Sequence, residues 1–257
     1  MKIFHRIKHF FRYLWVAQSK YYIHSPFVYQ FYLNVLERKP DVAIDRINAG
    51  RSFLAKSKDF IYQTDLGTGK SHQRKLSMLE SQVAVRPKYG EVLFRLARYL
   101  KPENVVELGT SVGISSGYLA LGNDSAKVIT LEGSKELTAQ ARLFHQFLNV
   151  SNVTYLEGNI NNTLPELLAD LKQVDLAFID SNHSKQATLN YFESFLPYVH
   201  SNSVLVFDDI YWSAEMTEAW MDIKKHSDVK LTLEIYQFGI VLFRKENVER
   251  ESFTLRY

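Results

Sequence analysis

Five acidic side chains and one histidine stand where they could do chemistry. Glu107 opens "ELGTSVG", an acid two residues before a pair of glycines, Gly109 and Gly113. Glu132 ends the next apolar run, 23 residues after Gly109. Asp180 closes "VDLAFID", Asp208 and Asp209 close "SVLVFDD", and His183 follows Asp180 by three. Three carboxylates at the ends of two neighbouring strands suit a hard cation such as Mg²⁺, which takes oxygen ligands. They would serve equally as caps of the helices that follow. A histidine has a pKa near working pH without help, so His183 suits proton transfer.

The glycine loop narrows the ligand. A dinucleotide fingerprint, G-x-G-x-x-G, needs a middle glycine so that backbone can approach a pyrophosphate. Here the pattern is E-x-G-x-x-x-G, with Ser111 near that middle position. Glu107 would repel a pyrophosphate and favour a cation. S-adenosylmethionine has no phosphate and carries a sulfonium and an ammonium. Glu132 stands about where an acid reaches ribose hydroxyls in doubly wound sheets. A second glycine stretch, "TDLGTGKS" at 64–71, fails as a phosphate loop. Gly67 lies too close to Gly69-Lys70-Ser71, and the preceding "AKSKDFIYQ" is too polar for a central parallel strand.

These residues need elements to hold them. "NVVELG", "KVITLEG", "NVTYLEG", "VDLAFID" and "SVLVFDD" are short, nearly continuously apolar runs, the pattern of strands buried on both faces. Helical stretches alternate with them, which predicts a mostly parallel sheet with helices on both faces. "VKLTLEIYQFGIVLFRK" predicts a closing antiparallel hairpin turning near Gly239, for seven strands in all. This α/β domain is expected over 89–257. Residues 1–88 are expected to be a helical and loop extension, with Ser25 and Pro26 starting a helix and residues 50–75 as a polar loop.

Composition bounds the class. The chain has 257 residues, 46% hydrophobic and 23% charged, with no cysteine, as expected of a globular protein of a reducing compartment such as the cytoplasm. A net charge of +3 is too small to argue for nucleic acid. No apolar run is long enough to span a membrane. The first twenty residues carry Lys2, Arg6, Lys8, Arg12 and Lys20 and no acid, with apolar residues at helical spacing. Such a helix suits packing on its own domain, a partner subunit in a homodimer, or an anionic membrane surface.

At this point "YGEVLFRLARYLKPENVVELGTSVGISSGYLA", "VDLAFIDSNH" and "VLVFDDIYW" resemble the class I S-adenosylmethionine-dependent methyltransferases, and within them the catechol and caffeoyl-CoA type O-methyltransferases. The resemblance covers residues 89–257 and implies a Rossmann-like fold and methylation of a small-molecule hydroxyl. Glu107, Gly109, Thr110, Ser111 and Gly113 would then line the cofactor's methionine end, with Asp180 near it. Glu132 would hold the ribose, and Gly158 and Asn159 would lie near the adenine. The family's metal trio, Asp, Asp and Asn, falls on Asp180, Asp208 and Asp209, so the third position departs from the pattern. The family's lysine base falls on His183. Tyr211, Trp212 and Trp220 would suit an aromatic acceptor, with Trp220 equally suited to the core. The alternatives are a binder that keeps the cofactor pocket without catalysis, or an NAD-dependent oxidoreductase.

Overall fold

The computed structural model describes residues 2–64, 71–247 and 249–257. Residues 65–70, all of the second glycine stretch but its two ends, therefore lie outside the described residues. In chain order the elements are α1 (Lys2–Val16), α2 (Pro26–Phe31), α3 (Val42–Lys56), β1 (Phe60–Thr64), β2 (Ser71–Lys75), the one-turn α4 (Leu76–Met78) and α5 (Pro87–Leu100). Alternation then sets in: β3 (Asn104–Leu108), α6 (Ile114–Gly122), β4 (Lys127–Glu132), α7 (Lys135–Phe147), β5 (Val153–Glu157), α8 (Ile160–Leu171), β6 (Leu176–Ile179), α9 (Lys185–Phe195), β7 (Val204–Phe207) and α10 (Ala214–Lys225). The chain ends with β8 (Leu231–Glu234), β9 (Gly239–Leu242) and β10 (Glu251–Thr254).

These elements form two compact units, Glu37–Asp170 and the chain up to Leu36 together with Leu171–Tyr257. The change of pattern near residue 88 marks where alternation begins; the units divide elsewhere, because α1 and α2 pack with the last third of the chain.

In the unit 37–170, β3, β4 and β5 run parallel, with Glu107 opposite Thr130 and Glu132 opposite Glu157. β3 after Asn104 and the middle of β4 are buried, as their nearly continuous apolar runs require. Helices α5 and α6 meet at glycines. A Cβ on Gly90 would stand 2.2 Å from the Tyr118 ring, and one on Gly122 would stand 2.4 Å from the Phe94 carbonyl oxygen. Of the residues expected as a loop, 50–56 instead finish α3, and 60–64 with 71–75 form the antiparallel β1–β2 ladder, Phe60 opposite Lys75 through Thr64 opposite Ser71. Side-chain polarity hid this pair: its backbone hydrogen bonds do not depend on an apolar face.

In the other unit, β6 and β7 are parallel, β9 runs antiparallel to both β7 and β8, and β10 lies parallel to β8. The hairpin is where the sequence places it, but Gly239 is needed for a different reason. The turn's left-handed residue is Tyr236, at φ 66°. Gly239 opens β9, and a Cβ there would stand 2.7 Å from the Trp220 ring. Strand β10, an addition to the seven expected, ties the chain's two ends together. Gln18 N donates to Thr254 O at 2.8 Å, and Tyr13 Oη donates to Leu255 O at 2.8 Å. Ser25 and Pro26 start α2 as expected, the Ser25 hydroxyl accepting from Val28 N.

Candidate functional site

The glycine loop leaves β3 and enters α6 through three left-handed residues: Gly109 at φ 99°, Ser111 at 48° and Gly113 at 81°. L-residues rarely adopt this region, so Ser111 holds local strain of the kind that clusters at ligand sites. Gly109 N and Thr110 N both donate to Leu131 O, at 3.0 and 3.3 Å, fixing the loop to the end of β4.

Glu132, the last residue of β4, completes the clamp. One carboxylate oxygen accepts from Ser111 N at 2.9 Å and the other from Ser134 N at 3.0 Å. Burial pushes its pKa up, and those backbone donors pull it back. A carboxylate has about four lone-pair sites, so Glu132 keeps acceptor capacity beyond its backbone donors. The Ser111 hydroxyl is buried and has no hydrogen-bond partner among the described residues. A buried polar atom without a partner costs about 1–3 kcal/mol, so a polar ligand group beside it would be favourable. Gly158, at φ 142°, donates from its amide to Glu132 O at 2.9 Å, so it is tied to the same strand end. Asn159 is exposed and caps α8, its Oδ1 accepting from Asn161 N at 3.0 Å.

Glu107 is fully buried, and its Oε2 accepts from the Thr130 hydroxyl at 2.5 Å. Thr130 in turn lies 2.5 Å from the Thr110 hydroxyl. The acid thus connects to the loop through a threonine that sequence reasoning missed. His145, which nothing in the sequence pairs with a partner, supports the other end. Its Nε2 lies 2.7 Å from Gly113 O and its Nδ1 2.5 Å from Tyr155 Oη. The carbonyl accepts from Nε2–H and the tyrosine hydroxyl donates to Nδ1, which requires the neutral ring. Burial lowers its pKa to about 4, against a partial opposing pull from the Gly113 carbonyl. Only the tertiary fold, 32 residues apart in sequence, reveals this contact.

That depression predicts acid sensitivity. The unfolded histidine takes up its proton near 6.5, the folded one near 4. Its stabilising contribution is complete above pH 6.5 and is lost as pH falls through the folded value, by about 3 kcal/mol in total. Wild-type melting temperature should therefore fall between pH 6.5 and 4 more steeply than that of His145→Gln. Parallel curves for the two proteins would remove His145 from this role.

The second cluster belongs to the other unit. Asp180 follows β6 and Asp208 and Asp209 follow β7. Asn182, His183 and Asp209 have φ of 64°, 27° and 52°, all left-handed. The turn brings His183 Nε2 to 3.4 Å from Asp180 Oδ1 and 3.5 Å from Asp209 Oδ2. Burial works to lower the His183 pKa, but hydrogen bonds and charge from the two aspartates raise it to about 10. Burial raises the pKa of Asp180. Asp208, only 4% exposed, is pushed well above the usual carboxylate range, first by burial and then by Asp209 and Asp180. One of its oxygens accepts from Asp209 N at 2.7 Å.

A metal does not fit these residues as arranged. The His183 ring stands between two of the three acids, and among the described residues no three His, Asp or Glu groups are gathered to hold an ion. A base role for His183 needs the neutral ring, whereas both carboxylates favour its cation.

Beyond the aspartates, the Trp212 ring centroid lies 6.2 Å from that of His183. Trp220 is in the core, 1% exposed, with Nε1 donating to Glu234 at 2.8 Å. Tyr211 donates to the same carboxylate at 2.7 Å. Helix α1 covers these aromatics: the His9 ring stacks 4.7 Å from Tyr211, and the Arg6 guanidinium lies 4.5 Å over Trp212.

Comparison with known proteins is consistent with this picture. A family model described as a methyltransferase domain matches residues 106–210. A catechol O-methyltransferase of Mycobacterium tuberculosis is 30% identical over 131 residues, which cover 50% of this chain and 58% of that protein. The chain thus matches less than two thirds of that relative. Among solved structures, a Podospora anserina methyltransferase bound to S-adenosylhomocysteine shares the fold at TM-score 0.59 and 18% identity, covering 85% of this chain and 94% of the other. An O-methyltransferase of Streptomyces achromogenes in complex with S-adenosylmethionine does so at TM-score 0.58 and 19% identity, covering 83% and 94%. No described helix is long and apolar enough to cross a membrane. Fold and glycine loop coincide over residues 106–210 with the stretch that matches a methyltransferase domain.

Proposed function

We propose that the chain methylates a hydroxyl group of a small molecule, with S-adenosylmethionine as donor. The observation that carries this reading is the Glu132 clamp on a left-handed glycine loop, with a buried serine hydroxyl awaiting a partner. Glu132 keeps lone pairs for ribose hydroxyls, and Ser111 offers a hydroxyl to the polar methionine end. The domain match to methyltransferases supports the same cofactor.

Bound S-adenosylmethionine supplies an electrophilic methyl group; the remaining work falls to the chain. The acceptor hydroxyl must lose a proton. We assign that proton to Asp180, whose partly buried carboxylate is more basic than usual. His183, held as a cation beside it, offsets the negative charge that develops on the acceptor oxygen. Trp212, next to His183, offers a flat apolar surface for an aromatic acceptor. No step is routed through a metal. Added Mg²⁺ is accordingly expected to leave the melting temperature unchanged, and a concentration-dependent rise would restore a metal to the aspartates.

Calorimetry tests the reading. S-adenosylmethionine and S-adenosylhomocysteine should bind, and NAD should not. Glu132→Ala is expected to weaken binding of both about ten- to a hundredfold, because it removes a charge-assisted acceptor and releases Ser111. NAD binding with no response to the other two would reject the proposal. Cofactor binding without turnover of any hydroxyl compound would favour a non-catalytic binder.

A further inference from the structure

Helix α1 has two faces, and only one is accounted for. His5, His9 and Tyr13, four residues apart, face inward: His5 Nε2 lies 2.9 Å from the Thr217 hydroxyl, His9 stacks on Tyr211, and Tyr13 is 4% exposed. On the opposite side stand Ile3, Phe4, Ile7, Phe11, Leu14 and Trp15. Their exposures run from 42% at Leu14 to 75% at Phe4 and 88% at Trp15. Six large apolar side chains in a single stripe on a 15-residue helix form a patch of the kind that marks a binding surface.

Charge decides what covers it. The helix carries Lys2, Arg6, Lys8 and Arg12 and no acidic residue. Neighbours on a helix lie three and four residues apart. Lys8 therefore lies one turn from Phe4 and Phe11, and Arg12 one turn from Trp15, so basic groups edge the apolar stripe. A second copy docked stripe to stripe would bring two all-basic helices together without a compensating acid. An anionic lipid headgroup layer matches both features: it takes the apolar side chains at the acyl boundary and the basic ones among its phosphates. At about 1.5 Å per residue the helix is about 22 Å long, too short to cross a bilayer but suited to lying in its surface.

We propose that α1 is an interfacial helix that docks the protein on an anionic membrane surface, with Phe4, Phe11 and Trp15 inserted and Lys8 and Arg12 at the headgroups. This stands independently of the methyltransferase reading, since no catalytic group takes part. The inner face of α1 rests on Tyr211 and Trp212, so the same helix links the membrane surface to those two aromatics.

Vesicle co-sedimentation tests the proposal with the full chain. Vesicles of phosphatidylcholine with about 30% phosphatidylglycerol should bind the protein, and pure phosphatidylcholine should bind it at least about tenfold less. Binding should also fall at least about tenfold in about 0.5 M salt, where screening shortens to a few ångströms. Tryptophan emission should be quenched by brominated lipid in the wild type and much less in Trp15→Phe. The pairs Phe11→Ser with Trp15→Ser, and Lys8→Gln with Arg12→Gln, should each lose binding while melting at the wild-type temperature, because these side chains are exposed. Absence of binding to anionic vesicles, or equal binding to neutral ones, would overturn the proposal. So would a concentration-dependent dimer that Phe11→Ser converts to monomer, which would assign the stripe to a second copy.

Discussion

His183→Ala is expected to slow methyl transfer by about 10²–10⁴-fold, the usual weight of a group that handles a proton or its charge in the transition state. The structure explains why the loss should be at the upper end. Removing the ring takes away the cation that faces Asp180 and Asp209 at 3.4 and 3.5 Å and leaves two close carboxylates without it. One of them would then bind a proton more tightly and stand protonated, no longer free to take the acceptor's proton. His183→Lys restores a cation and should recover most of the rate. The measurement is single-turnover methylation alongside cofactor titration for both variants. S-adenosylmethionine affinity should change little, because the residues assigned to the cofactor clamp lie elsewhere in the chain. A full-rate His183→Ala enzyme would exclude the ring from the reaction, and a dead His183→Lys enzyme would show that a cation alone is insufficient.

The second large effect concerns packing. Gly122→Ala places a methyl group 2.4 Å from the backbone oxygen of Phe94 and 2.8 Å from the Ala97 side chain. Backbone cannot rotate away, so α5 and α6 must separate, at a cost of about 1–3 kcal/mol or more. For a protein of this size that lowers the melting temperature by about 2–4 °C per kcal/mol. Function should suffer as well, because Gly113, the end of the glycine loop, caps α6. A variant with wild-type melting temperature would show that the helices can part without cost. One that is destabilised yet binds cofactor normally would show that the loop is held by its contacts to β4 and His145, without help from the α5–α6 packing.

Much of the glycine-loop half of the candidate site was legible in sequence, because local signals specify it. An apolar strand, an acid, two glycines and a second acid 23 residues on define the loop and its clamp, and the fold delivers Glu132 to Ser111. The supports were not legible, because they come from far along the chain. Thr130 reaches Glu107 across a strand pair, and His145 reaches Gly113 from a helix. The acidic cluster was half legible. Strand ends located Asp180, Asp208 and Asp209, but residue types alone could not show that left-handed turns place His183 between two of them. Strand β10 and the β1–β2 ladder escaped notice because their side chains are largely polar and their backbone pairing leaves no apolar signature. Gly239 was read as a turn residue; the Trp220 ring is its true constraint, and that ring comes from α10.

The lock between the two ends of the chain constrains how the protein can be made. Helix α1 leaves the ribosome long before its partners do: His5 waits for Thr217, 212 residues later, and Tyr13 for Leu255, 242 residues later. At roughly 5–20 residues per second that delay lasts on the order of 10–50 seconds. During it the inner face of α1 is bare as well as the outer stripe, giving a basic, aromatic segment of nascent chain with nowhere of its own to dock. This is the form in which chaperones would meet it. Slowed elongation before codon 217 should therefore lower the soluble yield more than the same slowing placed after codon 255.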